Sequence, residues 1–176
     1  MARPCGPLLT SAMNMSPFVV LTSLAALAAA AASGMMYVFS TFVMRGLDRT
    51  GPVEAITAMR GINAVANSSP AFLLAYFGAT ILALVVGIMA VVQFGQPGSA
   101  WILAGAVVGL LAAIITMVFN VPLNNHLESV DPAGLSVADA AIQWQAYLST
   151  WTAWNHVRAA ASIVAAALML VGLRYR

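Results

Sequence analysis

Four stretches of this chain stay apolar long enough to cross a bilayer, and most of its polar residues gather between them or at their ends. The stretches run from Pro17 to Met44, Pro70 to Phe94, Ala100 to Phe119 and Tyr147 to Leu173. Each supplies the roughly 20 residues that a helix rising about 1.5 Å per residue needs to cross the hydrocarbon core. The link from Gln93 to Ser99 (QFGQPGS) is short and carries glycine and proline, so the second and third stretches form an antiparallel hairpin. The pattern predicts an all-α fold, a four-helix up-down-up-down bundle embedded in the membrane. In the first long loop, Val53, Ile56, Arg60, Asn63 and Asn67 recur at helical spacing behind Pro52. A short amphipathic helix lying over the mouth of the bundle is the expected result. The loop from Leu127 to Ile142 reads as a turn and then an amino-terminal extension of the last span, with Pro122 stopping or kinking the third.

Composition agrees with the pattern. The chain is 62% hydrophobic and 7% charged, against about 25% charged in an ordinary soluble domain. Residues 1–16 read as a mobile amino terminus, 17–173 as a single transmembrane domain and 174–176 as a short basic tail. A cleaved signal peptide is the competing reading of the first stretch, which is much longer than the 7–15 apolar residues of a signal core. The net charge is +2 with seven basic residues, all arginine. No basic run is present that could neutralise a row of phosphates, which argues against nucleic acid. The single cysteine, Cys5, can build no disulfide framework within the chain. Arg3, Arg174 and Arg176 lie at one end of the bundle and Arg45, Arg49 and Arg60 at the other. That tie leaves orientation weakly encoded; the expectation is an integral, multi-pass membrane protein with both termini cytoplasmic.

Polar chemistry is concentrated where the first and third spans end and the fourth begins, which an up-down bundle places at one face of the membrane. Arg158 is the residue to explain. An arginine near the centre of a spanning helix costs about 2.5–3.5 kcal/mol on insertion scales, so it faces a protein interior. At about 100° per residue, Trp144, Tyr147, Trp151, Trp154, Asn155, Arg158 and Ser162 fall on one stripe, and His156 points nearly the opposite way. On the third span Thr116 and Asn120 are one turn apart, and Asn124 and Asn125 follow Pro122. Asn120 and Asn124 are expected to aim their amides into the cavity that Asn155 faces, with Asn63 and Arg60 above it.

Standard catalytic motifs are missing from the sequence: no phosphate-cradling glycine loop, nucleophile elbow, paired intramembrane carboxylates or His-Glu-x-x-His pattern. Only His126 and His156 could offer a metal a nitrogen, so no metal site is expected. Donor-rich side chains beside tryptophan suit a flat apolar ligand with carbonyl or phenolic oxygens.

Four segments carry a family likeness: Tyr37 to Arg45 (YVFSTFVMR), Met59 to Asn63 (MRGIN), Asn120 to Leu127 (NVPLNNHL) and Trp151 to Arg158 (WTAWNHVR). Together they resemble the anthrone oxygenase family of small four-span membrane proteins, over about residues 17–173. The resemblance implies an oxidoreductase, a monooxygenase that oxidises an anthrone-like or hydroquinone-like aromatic with dioxygen as co-substrate and no cofactor. Under that implication Arg158, Asn155, Asn120 and Asn124 are the catalytic set, with His126 the candidate base. Trp151, Trp154, Tyr147, Tyr37, Asn63 and Arg60 would bind substrate. The competing classes are a non-catalytic protein that binds or transports a small aromatic or lipid-like molecule, and a structural subunit of a membrane complex. The expected partners are the lipid bilayer and a small aromatic ligand, with a homo-oligomer left open.

Overall fold

The computed structural model describes residues 16–176, so the expected mobile amino terminus, with Arg3 and Cys5, lies outside the described residues. The described residues form five helices: α1 (Pro17–Asp48), α2 (Pro52–Ser68), α3 (Pro70–Val92), α4 (Ser99–Ser129) and α5 (Val137–Leu173), with a short 3-10 turn at Pro132–Gly134. There is no strand among the described residues. α1, α3, α4 and α5 are long and apolar enough to span a membrane, and the protein is a multi-pass membrane protein. α5 packs on α4 and α1, and α3 packs on α4 and α1, so α3 and α5 occupy diagonal corners of a four-helix bundle.

Three helices outrun the apolar stretches from which they were predicted. α1, α4 and α5 contain 32, 31 and 37 residues, about 46–56 Å at 1.5 Å per residue, against a hydrocarbon core of about 30 Å. Their surplus length projects at one end and gives α2 a surface to cover. There Met44, Ala55, Ile56, Met59, Leu127, Trp144, Tyr147 and Trp151 form one apolar cluster. Trp144 Nε1 and Gln145 Nε2 both donate to Asp48 Oδ1, at 2.8 and 2.9 Å, closing α5 onto the end of α1. α5 starts at Ser136, whose hydroxyl accepts from the Asp139 backbone N–H at 3.1 Å and donates to the Asp139 carboxylate at 2.7 Å.

Pro122 does not stop the third span. A wide turn at Thr116–Asn120 precedes it, in which the Val121 N–H reaches back five residues to the Thr116 carbonyl. This π geometry displaces the carbonyl that the proline ring would otherwise strike, and the helix runs on to Ser129. A matching wide turn at Phe39–Val43 lies in α1, where the Met44 N–H bonds the Phe39 carbonyl. The two irregular turns lie on diagonally opposite spans, at the end where the polar residues collect.

The other end is sealed by small residues. A Cβ on Gly105 of α4 would stand 2.8 Å from the Ala165 carbonyl and 2.9 Å from Met169 Cγ on α5, so only glycine allows this approach. Gly98 takes φ +79° to turn the α3–α4 hairpin. The basic tail docks there: Arg176 donates to Gln93 Oε1 at 3.1 Å and to the Ser99 hydroxyl, and its guanidinium lies 4.5 Å from the centre of the Phe18 ring.

Candidate functional site

Arg158 is only 7% exposed, and among the described residues no carboxylate lies within ion-pair distance of it. It stands seven residues below Trp151, about 10 Å deeper along α5. Its Nε donates to Asn155 Oδ1 at 2.8 Å, Nη1 reaches Thr116 Oγ1 at 3.5 Å, and the guanidinium carbon lies 5.0 Å from the Trp151 ring centre. Asn155 is fully buried and gives both amide hydrogens to α1, to the Met36 carbonyl at 2.7 Å and to Ser40 Oγ at 2.6 Å. The guanidinium is thus a held, uncompensated positive charge in a low-dielectric interior.

That charge faces a cavity of about 410 Å³ lined by residues of all five helices, within the range of ligand pockets. Phe39, Phe72, Tyr76, Phe77 and Trp151 supply aromatic wall, and Asn63, Thr116, Asn124 and Arg158 supply polar groups. Two buried donors there have no hydrogen-bond partner, Tyr76 Oη and Asn63 Nδ2. A buried donor left unpaired costs about 1–3 kcal/mol, so the pair marks a place that a ligand oxygen would satisfy. A smaller chamber of about 30 Å³ adjoins it, sharing Tyr76, Thr116 and Arg158 and otherwise lined largely by alanines.

The structure divides the residues expected at this site. Arg158, Trp151, Asn124 and Asn63 line the cavity. Asn124 is nevertheless occupied, because its Oδ1 accepts from Tyr147 Oη at 2.9 Å and Trp151 Nε1 at 2.8 Å and so fixes the tryptophan wall. Asn155 stands behind Arg158 and acts through it. Asn120 does not aim into the cavity: its Nδ2 donates to the Trp151 carbonyl at 3.2 Å, tying α4 to α5. Trp154 turns to α4 and stacks on Phe119, with centroids 3.6 Å apart and planes 8° apart. The predicted stripe on α5 was wider than one cavity can use. At about 100° per residue Trp151 and Arg158 differ by only 20°, while Asn155 and Trp154 flank them and meet α1 and α4.

Three more expectations are corrected. Tyr37 is 63% exposed, because the turn of α1 that points Met36 inward points its neighbour outward. Arg60 is spent on structure, donating to the Val130 carbonyl at 2.7 Å and pairing with Glu128 at 3.3 Å, which ties α2 to the end of α4. His126 is exposed beyond the cavity with Nε2 3.3 Å from Gln143 Oε1, so it is not placed as a base for a ligand there. His156 does lie away from the cavity, in a separate shallow groove with Arg45 and Asp48.

Tyr76 lines the cavity although sequence reasoning did not include it, and Thr116, read there only as Asn120's neighbour in the polar cluster, lines it too. A signal existed for Tyr76, a hydroxyl six residues inside a span whose other polar side chain is Thr80, but tyrosine near a span end is common at membrane interfaces and attracts no notice there. No three His, Cys, Asp or Glu side chains converge among the described residues. The groups facing the cavity are N–H and O–H donors on aromatic walls, an arrangement that holds an oxyanion on a planar ring system.

No curated protein and no solved structure matches the chain. The family model described as anthrone oxygenase matches residues 71–168, more than half of the chain, running from the start of α3 past Arg158. With Tyr76, Thr116, Asn124, Trp151, Asn155 and Arg158 all inside that match, the chain belongs to the anthrone oxygenase family.

Proposed function

We propose that the protein is a cofactor-independent monooxygenase that uses dioxygen to oxidise an anthrone-like or hydroquinone-like aromatic held in the α1–α5 cavity. The observation that carries this reading is the uncompensated Arg158 beside two unpartnered donors, Tyr76 Oη and Asn63 Nδ2, on the wall of an aromatic-lined cavity. An anthrone that loses a proton from its central methylene to water becomes a phenolate-like anion. Arg158 and Tyr76 stabilise that oxygen, and donors preorganised in a dry site are worth about 3 kcal/mol each in such roles. Trp151, Phe39 and Phe72 hold the rings and exclude water.

The electron-rich anion then passes one electron to dioxygen, and the resulting radical and superoxide combine at the same carbon. Protonation gives a hydroperoxide. Loss of the remaining hydrogen on that carbon as a proton, with O–O cleavage and departure of hydroxide, leaves the quinone carbonyl. The sum is anthrone plus dioxygen to anthraquinone plus water. The protein's work is to favour the first anion, which requires neither metal nor flavin.

Dioxygen uptake by the purified protein with a panel of anthrones and hydroquinones tests the reading. Arg158→Gln should lower uptake by about 100-fold or more, the loss expected for one such donor. Uptake near the wild-type level in a folded Arg158→Gln protein would overturn it, as would a Soret or flavin absorption band in the active protein.

A further inference from the structure

Most residues that line the cavity are buried or half-buried; four are exposed, and their positions say where the cavity opens. They are Val38 on α1, Phe77 on α3, Met117 on α4 and Asn67 on α2. Val38, Phe77 and Met117 are 38, 49 and 55% exposed and lie on spanning helices, on either side of α3. Asn67 is the polar exception, one residue from the end of α2. The face towards water is closed instead, since Ala55, Ile56, Met59 and Asn63 of α2 are buried against the projecting ends of the bundle.

α3 shows why the side is open. Its buried residues are Ala83, Val86, Gly87 and Ala90, all in the carboxy-terminal part of the helix; none lies between Pro70 and Leu82. The helix is packed at its far end, where Gly87 lets Ala106 of α4 approach, and its first half stands off the bundle with the cavity beneath it. Outside, Leu74, Phe77, Ile81, Leu84 and Ile88 form an exposed apolar face at the depth of the bilayer. In a membrane, a gap rimmed by valine, phenylalanine and methionine at this depth is filled by acyl chains rather than water.

We infer that the cavity is loaded sideways from the bilayer, through the gaps beside the amino-terminal half of α3, and that its ligand is a membrane-dissolved aromatic rather than a water-soluble one. This deepens the proposed oxygenase reading and rests on it for the ligand's chemistry, but the route can be tested without turnover. An aromatic ring system with its oxygens on one edge would enter oxygen edge first past Phe77 and Val38. Its oxygen edge meets Tyr76, Asn63 and Arg158 inside, and Asn67 offers a polar stop at the rim.

The test places a thiol beside Arg158 by Thr116→Cys in a Cys5→Ser background and reconstitutes the protein in phosphatidylcholine vesicles. The variant is labelled with N-phenylmaleimide, which dissolves in the bilayer, or with a charged, membrane-impermeant methanethiosulfonate. Lateral entry predicts that the maleimide labels at least 10-fold faster than the charged reagent scaled to its rate on a free thiol. It also predicts that Val38→Trp with Met117→Trp, which narrow the gaps on the two sides of α3, slow the maleimide by about 10-fold. Equal scaled rates, no labelling by either reagent, or no effect of this double substitution would each overturn the proposal. A lateral route in the labelled variant, with no dioxygen uptake by the wild-type protein, would sink the oxygenase reading alone.

Discussion

Asn155 accepts the Nε–H of Arg158 on its Oδ1 at 2.8 Å while both of its own amide hydrogens are held by α1. The arginine is therefore aimed by a neighbour on its own helix that is anchored to a different one. An Asn155→Leu protein should lose those bonds and let the guanidinium wander. Interhelical hydrogen bonds in membranes average about 0.6 kcal/mol and reach about 1.7, so a stability loss of about 1–2 kcal/mol is expected with a larger loss of dioxygen uptake. Unfolding in mixed micelles and uptake, measured on the same preparation, should show uptake falling out of proportion to stability.

Arg158 carries an uncompensated charge, and removing it should relieve the fold. Replacing buried charges with apolar groups of similar size is often stabilising by about 1–4 kcal/mol. Arg158→Met should therefore unfold at higher denaturant than wild type while consuming no dioxygen. A protein less stable than wild type would mean that the arginine holds the helices together rather than serving a ligand.

Tyr76 offers the sharpest separation of structure from function. Its hydroxyl has no partner in the protein, so Tyr76→Phe removes no bond and relieves a buried unpaired donor, and should stabilise the fold by about 1–3 kcal/mol. Uptake should nevertheless fall by about 10- to 100-fold. An unchanged rate would remove Tyr76 from the oxyanion site.

The charge can also be silenced without touching Arg158. Thr116 Oγ1 lies 3.5 Å from Nη1, so Thr116→Asp puts a carboxylate where it pairs with the guanidinium. The variant should fold and yet bind 1,8-dihydroxyanthraquinone, a product-shaped probe, at least 10-fold more weakly by tryptophan quenching. Undiminished affinity would show that the positive charge does not recognise the ligand.

His126 supplies a control. It is exposed and bonded to Gln143, so His126→Gln should keep uptake within about twofold of wild type. A loss comparable with that of Arg158→Gln would restore it as a base and demand a rearrangement of α4.

Length and polarity along the chain were enough to determine four spans, a covering helix and the end of the bundle where the polar residues and the cavity lie. Those features follow from local physics: about 20 apolar residues must span, and a charge inside a span must turn inward. Only the packed bundle decided how each polar side chain is spent. Asn120, Asn124, Arg60 and Arg158 look alike in a sequence as buried-capable hydrogen-bonding groups. Which of them faces an opening and which ties one helix to the next depends on neighbours brought together from distant parts of the chain. The same holds for Tyr76, unremarkable in its own helix, which stands unpartnered on the wall of the cavity that Arg158 also faces.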